Sequence, residues 1–325
     1  MTDITIITPT FRRPEGLKAC LASVAAQTGV DFSRIDYLVC DNSPEGSARD
    51  IITDLTPTLP FRLRYHHEPR PGVAHARNTS LAVTDAPLIV FIDDDEAAPP
   101  HWLANLLKIQ SEFQADVVFG PVKGRVPNSV RRHRAYFEAF FSRFGPATSG
   151  LIPDYFGCGN SLIRREALSG IEPVFSLDRN EIGGEDDRLF FEMRARGARM
   201  AWAAEAFVYE DAPVSRLTLS YTLLRAYAYG QGPSTAAWCA EPRNWGGIFK
   251  WMIIGMAQTG LYGLRALWAI LTRANDQAHW LDKTARGLGK VMWFHKIKFY
   301  GAAAAKKTAP APVPSQPISQ TPEAA

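Results

Sequence analysis

Leu88-Ile89-Val90-Phe91-Ile92-Asp93-Asp94-Asp95 decides how this chain is read. Its first five residues are apolar without polar alternation, which predicts a strand over 88–92, central in a sheet and buried on both faces. Three carboxylates follow at once. Like charges packed so closely repel, and need either solvent or a cation between them. Hard divalent ions favour one or two carboxylates together with phosphate oxygens. The triplet is therefore a solvated acidic loop or a metal–diphosphate site, and its position at the carboxyl end of a central strand favours the second.

Upstream of this strand, strand and helix signals alternate. A β-branched run over 4–8, closed by Pro9, predicts a first strand. Pro14 suits the first turn of a helix, with Leu17, Leu21, Val24 and Thr28 as its apolar stripe. A second strand is expected over 35–40, ending at the loop Asp41-Asn42-Ser43-Pro44. A short helix over 47–55, a third strand over 61–66 and a helix over 73–82 complete the approach. The β-α-β-α-β-α-β order predicts an α/β fold, an open and mainly parallel Rossmann-like sheet with helices on both faces. Ligands bind outside the carboxyl ends of such strands. Thr8-Pro9-Thr10, Asp41-Asn42 and Asp93-Asp94-Asp95 thus belong to one site.

The whole chain has 325 residues, 46% hydrophobic and 21% charged, which excludes wholesale disorder and a multi-span membrane protein. A net charge of +3, with no dense basic face in the first 200 residues, argues against a nucleic-acid partner. Cys20, Cys40, Cys158 and Cys239 show no metal-ligand spacing, and their scatter suits a reducing compartment better than a disulfide framework. Met1-Thr2-Asp3 leads into the first strand without the basic and apolar regions of a signal peptide, so the cytoplasm is the expected compartment.

A second acidic cluster, Gly183-Gly184-Glu185-Asp186-Asp187, opens a helical pattern through Leu189, Phe190, Met193 and Arg196. Acids at a helix N-terminus are favoured by its dipole and serve as ordinary caps as readily as they serve as a general base. Taken in order, Thr8-Pro9-Thr10-x-Arg12-Arg13, Asp41-Asn42-Ser43, Pro71-Gly72-Val73-Ala74-x-Ala76-Arg77-Asn78, Asp93-Asp94-Asp95, Gly159-Asn160-Ser161-Leu162-Ile163-Arg164-Arg165 and Gly184-Glu185-Asp186 form a pattern. It resembles the family two glycosyltransferases, and most of all the branch acting in bacterial exopolysaccharide assembly, of the succinoglycan type. The resemblance covers roughly residues 3–235.

The resemblance implies the GT-A nucleotide-diphospho-sugar transferase fold and an inverting, metal-dependent hexosyltransferase using a UDP-sugar. By the same resemblance, Thr8, Pro9 and Thr10 line the nucleoside pocket, with Arg12 in the nucleotide-binding set and Asp41 on the uracil edge. Arg77 lies by the nucleotide, Asp94 near the ribose or donor sugar, and Gly159 and Asn160 beside that sugar. Asp93 and Asp95 form the metal-binding DxD pair for Mg²⁺ or Mn²⁺, and Glu185 joins the donor site. Asp186 is the general base. The acceptor implied is a saccharide on a polyprenyl diphosphate lipid at the cytoplasmic face of the inner membrane. Two alternatives are a GDP-mannose-type transferase and an inactive nucleotide-binding scaffold subunit. The scaffold fits poorly with a full acidic set. A dinucleotide oxidoreductase needs G-x-G-x-x-G after the first strand, where this chain has Thr-Pro-Thr-Phe-Arg-Arg.

Two departures from the family matter. The Gln-x-x-Arg-Trp motif of the processive synthases is missing, and Pro242-Arg243-Asn244-Trp245 is the nearest string, which favours single addition over polymerisation. A late metal-ligating His found in related folds is replaced by Glu210, which is not expected to be a ligand.

The expected organisation is a catalytic domain over 1–212, a helical region with amphipathic helices over 213–301, and a disordered Ala/Pro-rich tail over 302–325. Between Lys250 and Arg265 lie 14 uncharged residues, fewer than the roughly 20 a spanning helix needs. Lys250, Gln258, Arg265 and Thr272 share one narrow helical sector and leave a broad apolar face. Lys283, Arg286, Lys290, Lys296 and Lys298 interleave with Trp280, Trp293, Phe294, Phe299 and Tyr300. That mixture predicts peripheral, salt-sensitive contact with an anionic membrane, driven by Lys283, Arg286 and Lys290.

Overall fold

Six strands running one way carry the site. In the computed structural model, which describes residues 2–297, β1 (Ile4–Thr10), α1 (Pro14–Ala25), β2 (Ile35–Asp41), α2 (Arg49–Leu55), β3 (Arg62–His67), α3 (Val73–Ala82) and β4 (Leu88–Phe91) follow in order. Every element expected from the sequence up to residue 92 is present, with ends displaced by no more than two residues except that α1 stops at Ala25, short of Thr28. Then come β5 (Glu96–Ala97), α4 (Trp102–Phe113), β6 (Val117–Phe119), β7 (Val122–Arg125), α5 (Arg134–Phe140), β8 (Gly150–Leu151), β9 (Ser161–Arg164), α6 (Glu185–Ala195), β10 (Met200–Trp202) and β11 (Val208–Asp211).

The main sheet has the order β3-β2-β1-β4-β9-β6-β10-β8. β1, β2, β3 and β4 pair in parallel, β6 and β10 continue that direction, and β9 and β8 run against it. The reversal of β9 matters for function. Ser161, its first residue, pairs with Phe91, the last of β4, so the loop before β9 arrives at the same edge as Asp93. A second sheet, β5-β11-β7, sets Glu96 opposite Glu210.

Strand alternation sorts the core onto two faces. Ile6, Tyr37, Val39 and Val90 face Leu17 and Leu21 of α1 and Leu103 and Leu106 of α4. Ile7, Leu38, Ile89 and Phe91 face Ala74 and Leu81 of α3 and Leu189 and Phe190 of α6. The acids that follow β4 are thereby fixed by a strand with no freedom to shift register.

Beyond β11 the chain is helical: α7 (Leu219–Gly230), α8 (Gly232–Cys239), α9 (Trp245–Leu271) and α10 (Gln277–Val291). This bundle meets the catalytic part through the Tyr136 hydroxyl, which donates to Asp282 at 3.3 Å, and through Phe140 against Tyr229. Among the described residues no helix is long and apolar enough to cross a membrane. The expectation that Lys283, Arg286 and Lys290 present a basic face is corrected. All three are only half-exposed, because α10 lies between α7 and α9. Arg286 is paired with Asp282 at 2.7 Å, Lys290 reaches the Arg286 carbonyl, and Lys283 stands over the Tyr262 ring. The expected tail over 302–325, with Lys298, Phe299 and Tyr300, lies outside the described residues.

Candidate active site

After β4 the alternation continues into the acidic loop. Asp93 and Asp95 are half-buried, with Asp94 and Glu96 buried between and after them. Asp94 accepts from the Thr10 hydroxyl at 2.8 Å and from Arg13 at 2.9 Å. Glu96 accepts from the Asp93 backbone N–H at 2.9 Å. The Asp93 side chain is 39% exposed and lies 3.6 Å from Arg77, whereas that of Asp95 is 13% exposed and held by a short ion pair with Arg13.

This crowding is costly. Burial raises the Asp93 carboxyl, Arg77 opposes that, and the charge of Asp95 adds to it. Burial, ahead of the neighbouring acids, pushes Asp94 up to about 6 and Glu210 up to about 8, and holds Glu96 well above its usual range. Arg13, Arg77 and Arg143 supply the positive charge that holds the cluster together. Among the described residues no three His, Cys, Asp or Glu side chains form a metal cage. A cage is not what the chemistry asks for. Magnesium-type sites use one or two carboxylates plus substrate phosphates, so Asp93 and Asp95 fit a cation that arrives with a diphosphate.

Across a narrow strip of backbone stands the second cluster. Asp186, in the first turn of α6, accepts from the Cys158 N–H at 3.0 Å and the Asp187 N–H at 2.9 Å. Gly159 allows the close approach: a Cβ there would sit 2.5 Å from Asp93 Oδ2. One at Gly157 would sit 3.3 Å from Asp186 Oδ2. Asp93 and Asp186 thus flank the same three residues, brought there by β9's reversed direction.

Several residues expected to touch the nucleotide are instead occupied inside the protein. Thr8 is fully buried, its hydroxyl bonded to Tyr37 and to the Ile92 carbonyl, and Thr10 holds Asp94. Only Pro9 of that trio is half-exposed. Asp41 is 0% exposed and accepts from Ser43 N and Oγ, Ala48 N and the Tyr65 hydroxyl, so it organises its own loop and presents no edge to a base. Asn160 accepts from the Trp102 indole and donates to the Pro121 and Ala206 carbonyls, with no amide group spare for a sugar. Arg12 forms a bidentate pair with Glu45 at 2.6 and 2.9 Å, joining the loops after β1 and β2.

Arg77 and Glu185 likewise have partners within the protein. Their side chains, each 6% exposed, pair at 2.7 Å, and the Arg77 guanidinium borders both the Phe91 and the Phe175 rings. Burial, with Asp186's charge adding and Arg77 opposing, pushes Glu185 up to about 7. The pair fastens α3 to α6 and so fixes Asp186 next door. Replacing Arg77 with methionine leaves Glu185 buried and unpaired, and is expected to destabilise the fold by about 3–5 kcal/mol. Urea unfolding measures this, and adding Glu185→Gln to that variant should recover part of the loss.

Four contributors escaped the sequence reading. Arg13 stood beside Arg12 in the first motif, and the run of acids did extend to Glu96. Arg143, which donates to the Gly159 carbonyl, had no local signal. Neither had Asn180, which accepts from Ala74 N and donates to the Pro71 carbonyl. A cavity of about 680 Å³ lies beside that clamp, lined by Arg70, His75, Asp178 and Glu181 among others, and none of Asp93, Asp95 or Asp186 lines it.

The fold that carries these acids has solved counterparts. The mannosyltransferase PcManGT from Pyrobaculum calidifontis, solved with GDP-Man and Mn²⁺, superposes with a TM-score of 0.57 at 18% identity, over 88% of this chain and 86% of that one. S. aureus TarS 1–349 in complex with UDP gives 0.51 at 14% identity, over 90% of both chains. At such identities these show a GT-A-like fold alone. In sequence, the succinoglycan biosynthesis protein ExoM of Rhizobium meliloti (strain 1021) is 34% identical over 223 residues, 68% of this chain and 71% of that protein. The pattern of glycosyl transferase family 2 matches residues 5–171, which span the acidic loop and β9. With fold, sequence and pattern in agreement, this chain belongs to glycosyl transferase family 2 and is a glycosyltransferase.

Proposed function

We propose that the protein transfers a single hexose, with inversion, from a UDP-sugar to a saccharide acceptor in exopolysaccharide or cell-surface polysaccharide synthesis. The observation that carries this reading is the placement of Asp93, beside Asp95, and of Asp186 on either side of the 157–159 segment. Asp186 accepts the proton of the acceptor hydroxyl while that oxygen attacks the anomeric carbon and the bond to the diphosphate breaks. Asp93 and Asp95 would hold Mg²⁺ or Mn²⁺, which when bound supplies charge neutralisation for the leaving nucleotide. Arg77 keeps Glu185 and hence Asp186 in position, and Arg13 steadies Asp94 and Asp95. The acceptor we infer is lipid-linked, which places the enzyme at the cytoplasmic face of a membrane in peripheral contact.

A second reading has an observation in its favour. Because Asp41 is fully engaged within its loop, the residue expected to read uracil does not discriminate bases, and a GDP-mannose donor stays in competition. A panel of UDP- and GDP-sugars, scored by nucleotide release and by protection against thermal unfolding, separates the two. Release from UDP-sugars, with UDP protecting more strongly than GDP, is expected. GDP-mannose turnover would replace the donor, and binding without any turnover would favour the scaffold.

A further inference from the structure

α9 is built the wrong way round for a helix in water. Its buried positions are mostly small residues: Gly255, Ala266 and Ala269, with Ile248 in the first turn as the exception. α9 and α10 nearly touch, since a Cβ on Gly255 would lie 2.7 Å from the Gly287 carbonyl and one on Gly287 would lie 2.6 Å from the Thr259 hydroxyl. The large side chains point out. Phe249, Ile253, Met256, Leu264, Leu267 and Leu271 are each more than half exposed. At about 100° per residue they share one sector of roughly 80°, a stripe about 33 Å long at 1.5 Å per residue. Trp245 and Trp268, also more than half exposed, stand near its two ends.

We propose that this outer face of α9 is an insertion surface for an anionic lipid bilayer. The helix lies parallel to the membrane, its apolar stripe at the boundary of headgroups and acyl chains. Charge selects lipid over a second copy of the chain. Lys250, exposed, flanks the stripe on one side, Arg265 lies farther round the helix over the Trp280 ring, and α9 contains no acid along its 27 residues. Two copies packed stripe to stripe would set Lys250 at the seam with no acid on either α9 to pair it, whereas headgroup phosphates compensate it. Tryptophans near the stripe's ends suit the headgroup level. The proposal rests on the membrane-facing reading above only for its choice of partner. It differs from the sequence expectation in its driving force, which is burial of α9's aliphatic face and not attraction by α10's lysines.

The test uses the full chain and vesicles of phosphatidylcholine with phosphatidylglycerol, by sedimentation and tryptophan fluorescence. Wild type should bind, with a blue shift, and keep most of its binding in 1 M salt. The triple variant Ile253→Ser, Leu264→Ser, Leu267→Ser should bind at least about 100-fold more weakly, as three large apolar side chains are lost from the buried face. Lys250→Glu with Arg265→Glu should weaken binding less. Circular dichroism melting and protection by UDP should match wild type in the triple variant, because the changed side chains touch solvent. Retained UDP protection keeps a failure here distinct from failure of the donor reading. No vesicle binding by wild type, full binding by the triple variant, or a soluble dimer that the triple variant dissociates would each overturn the proposal.

Discussion

Asp186→Asn is expected to slow transfer by about 10²–10⁴-fold while leaving nucleotide affinity close to wild type. The substitution keeps the size of the side chain and removes its capacity to take a proton. In the structure Asp186 receives two backbone N–H groups and no side-chain cation, so its carboxylate is positioned without being neutralised by an ion pair. Glu185, adjacent in sequence, is no substitute, because its carboxylate is buried against Arg77. Steady-state turnover and UDP protection against thermal unfolding measure the two halves of the prediction. If the variant turns over at the wild-type rate, the base lies elsewhere, and exposed Asp187 is the next residue to change.

Loss of Asp95 should be more severe. Asp95→Ala, or chelation of the wild-type enzyme, is expected to abolish measurable transfer and to weaken UDP binding together. Asp93 and Asp95 are the half-buried acids of the loop, whereas Asp94, committed to Thr10 and Arg13, and Glu96, committed to the Asp93 backbone, are buried. The same variant should leave the fold intact, as Arg13 keeps its bond to Asp94. Turnover undiminished in excess chelator would remove the cation from the reaction. Mg²⁺ and Mn²⁺ both accept oxygen ligands, and their comparison in the same assay decides which works better.

The path from sequence to site was uneven in an instructive way. Every strand and helix up to β4 could be read because each carries its own local signal, such as the period of the α1 stripe or the apolar run of β4. The acidic pairs were legible too, since carboxylates crowded at a strand end or a helix start are rare enough to stand out. What could not be read was which partner each polar residue would find. Asp41, Asn160 and Arg77 have the chemistry of ligand contacts, yet each pairs with protein groups, from 2 to 108 residues away in sequence. Long-range partners have no periodicity to betray them.

The C-terminal helices show the same limit on a larger scale. Spacing alone established that residues 245–271 would be amphipathic and too short in apolar length to span a bilayer. It could not say that the small face would turn inward against Gly287 and the large one outward. Sequence by itself determined the element order up to β4, the α/β class and the family, and it singled out Asp93, Asp95 and Asp186 as the acids to test. The tertiary structure alone decided that β9 runs backwards and brings Gly157 to Asn160 to the acidic edge, that most motif residues form a buried frame, and that α9 faces out. The reason is physical: local propensity and hydrophobic period act over a few residues, whereas strand direction, polar pairing and helix facing are settled by contacts between residues far apart in the chain.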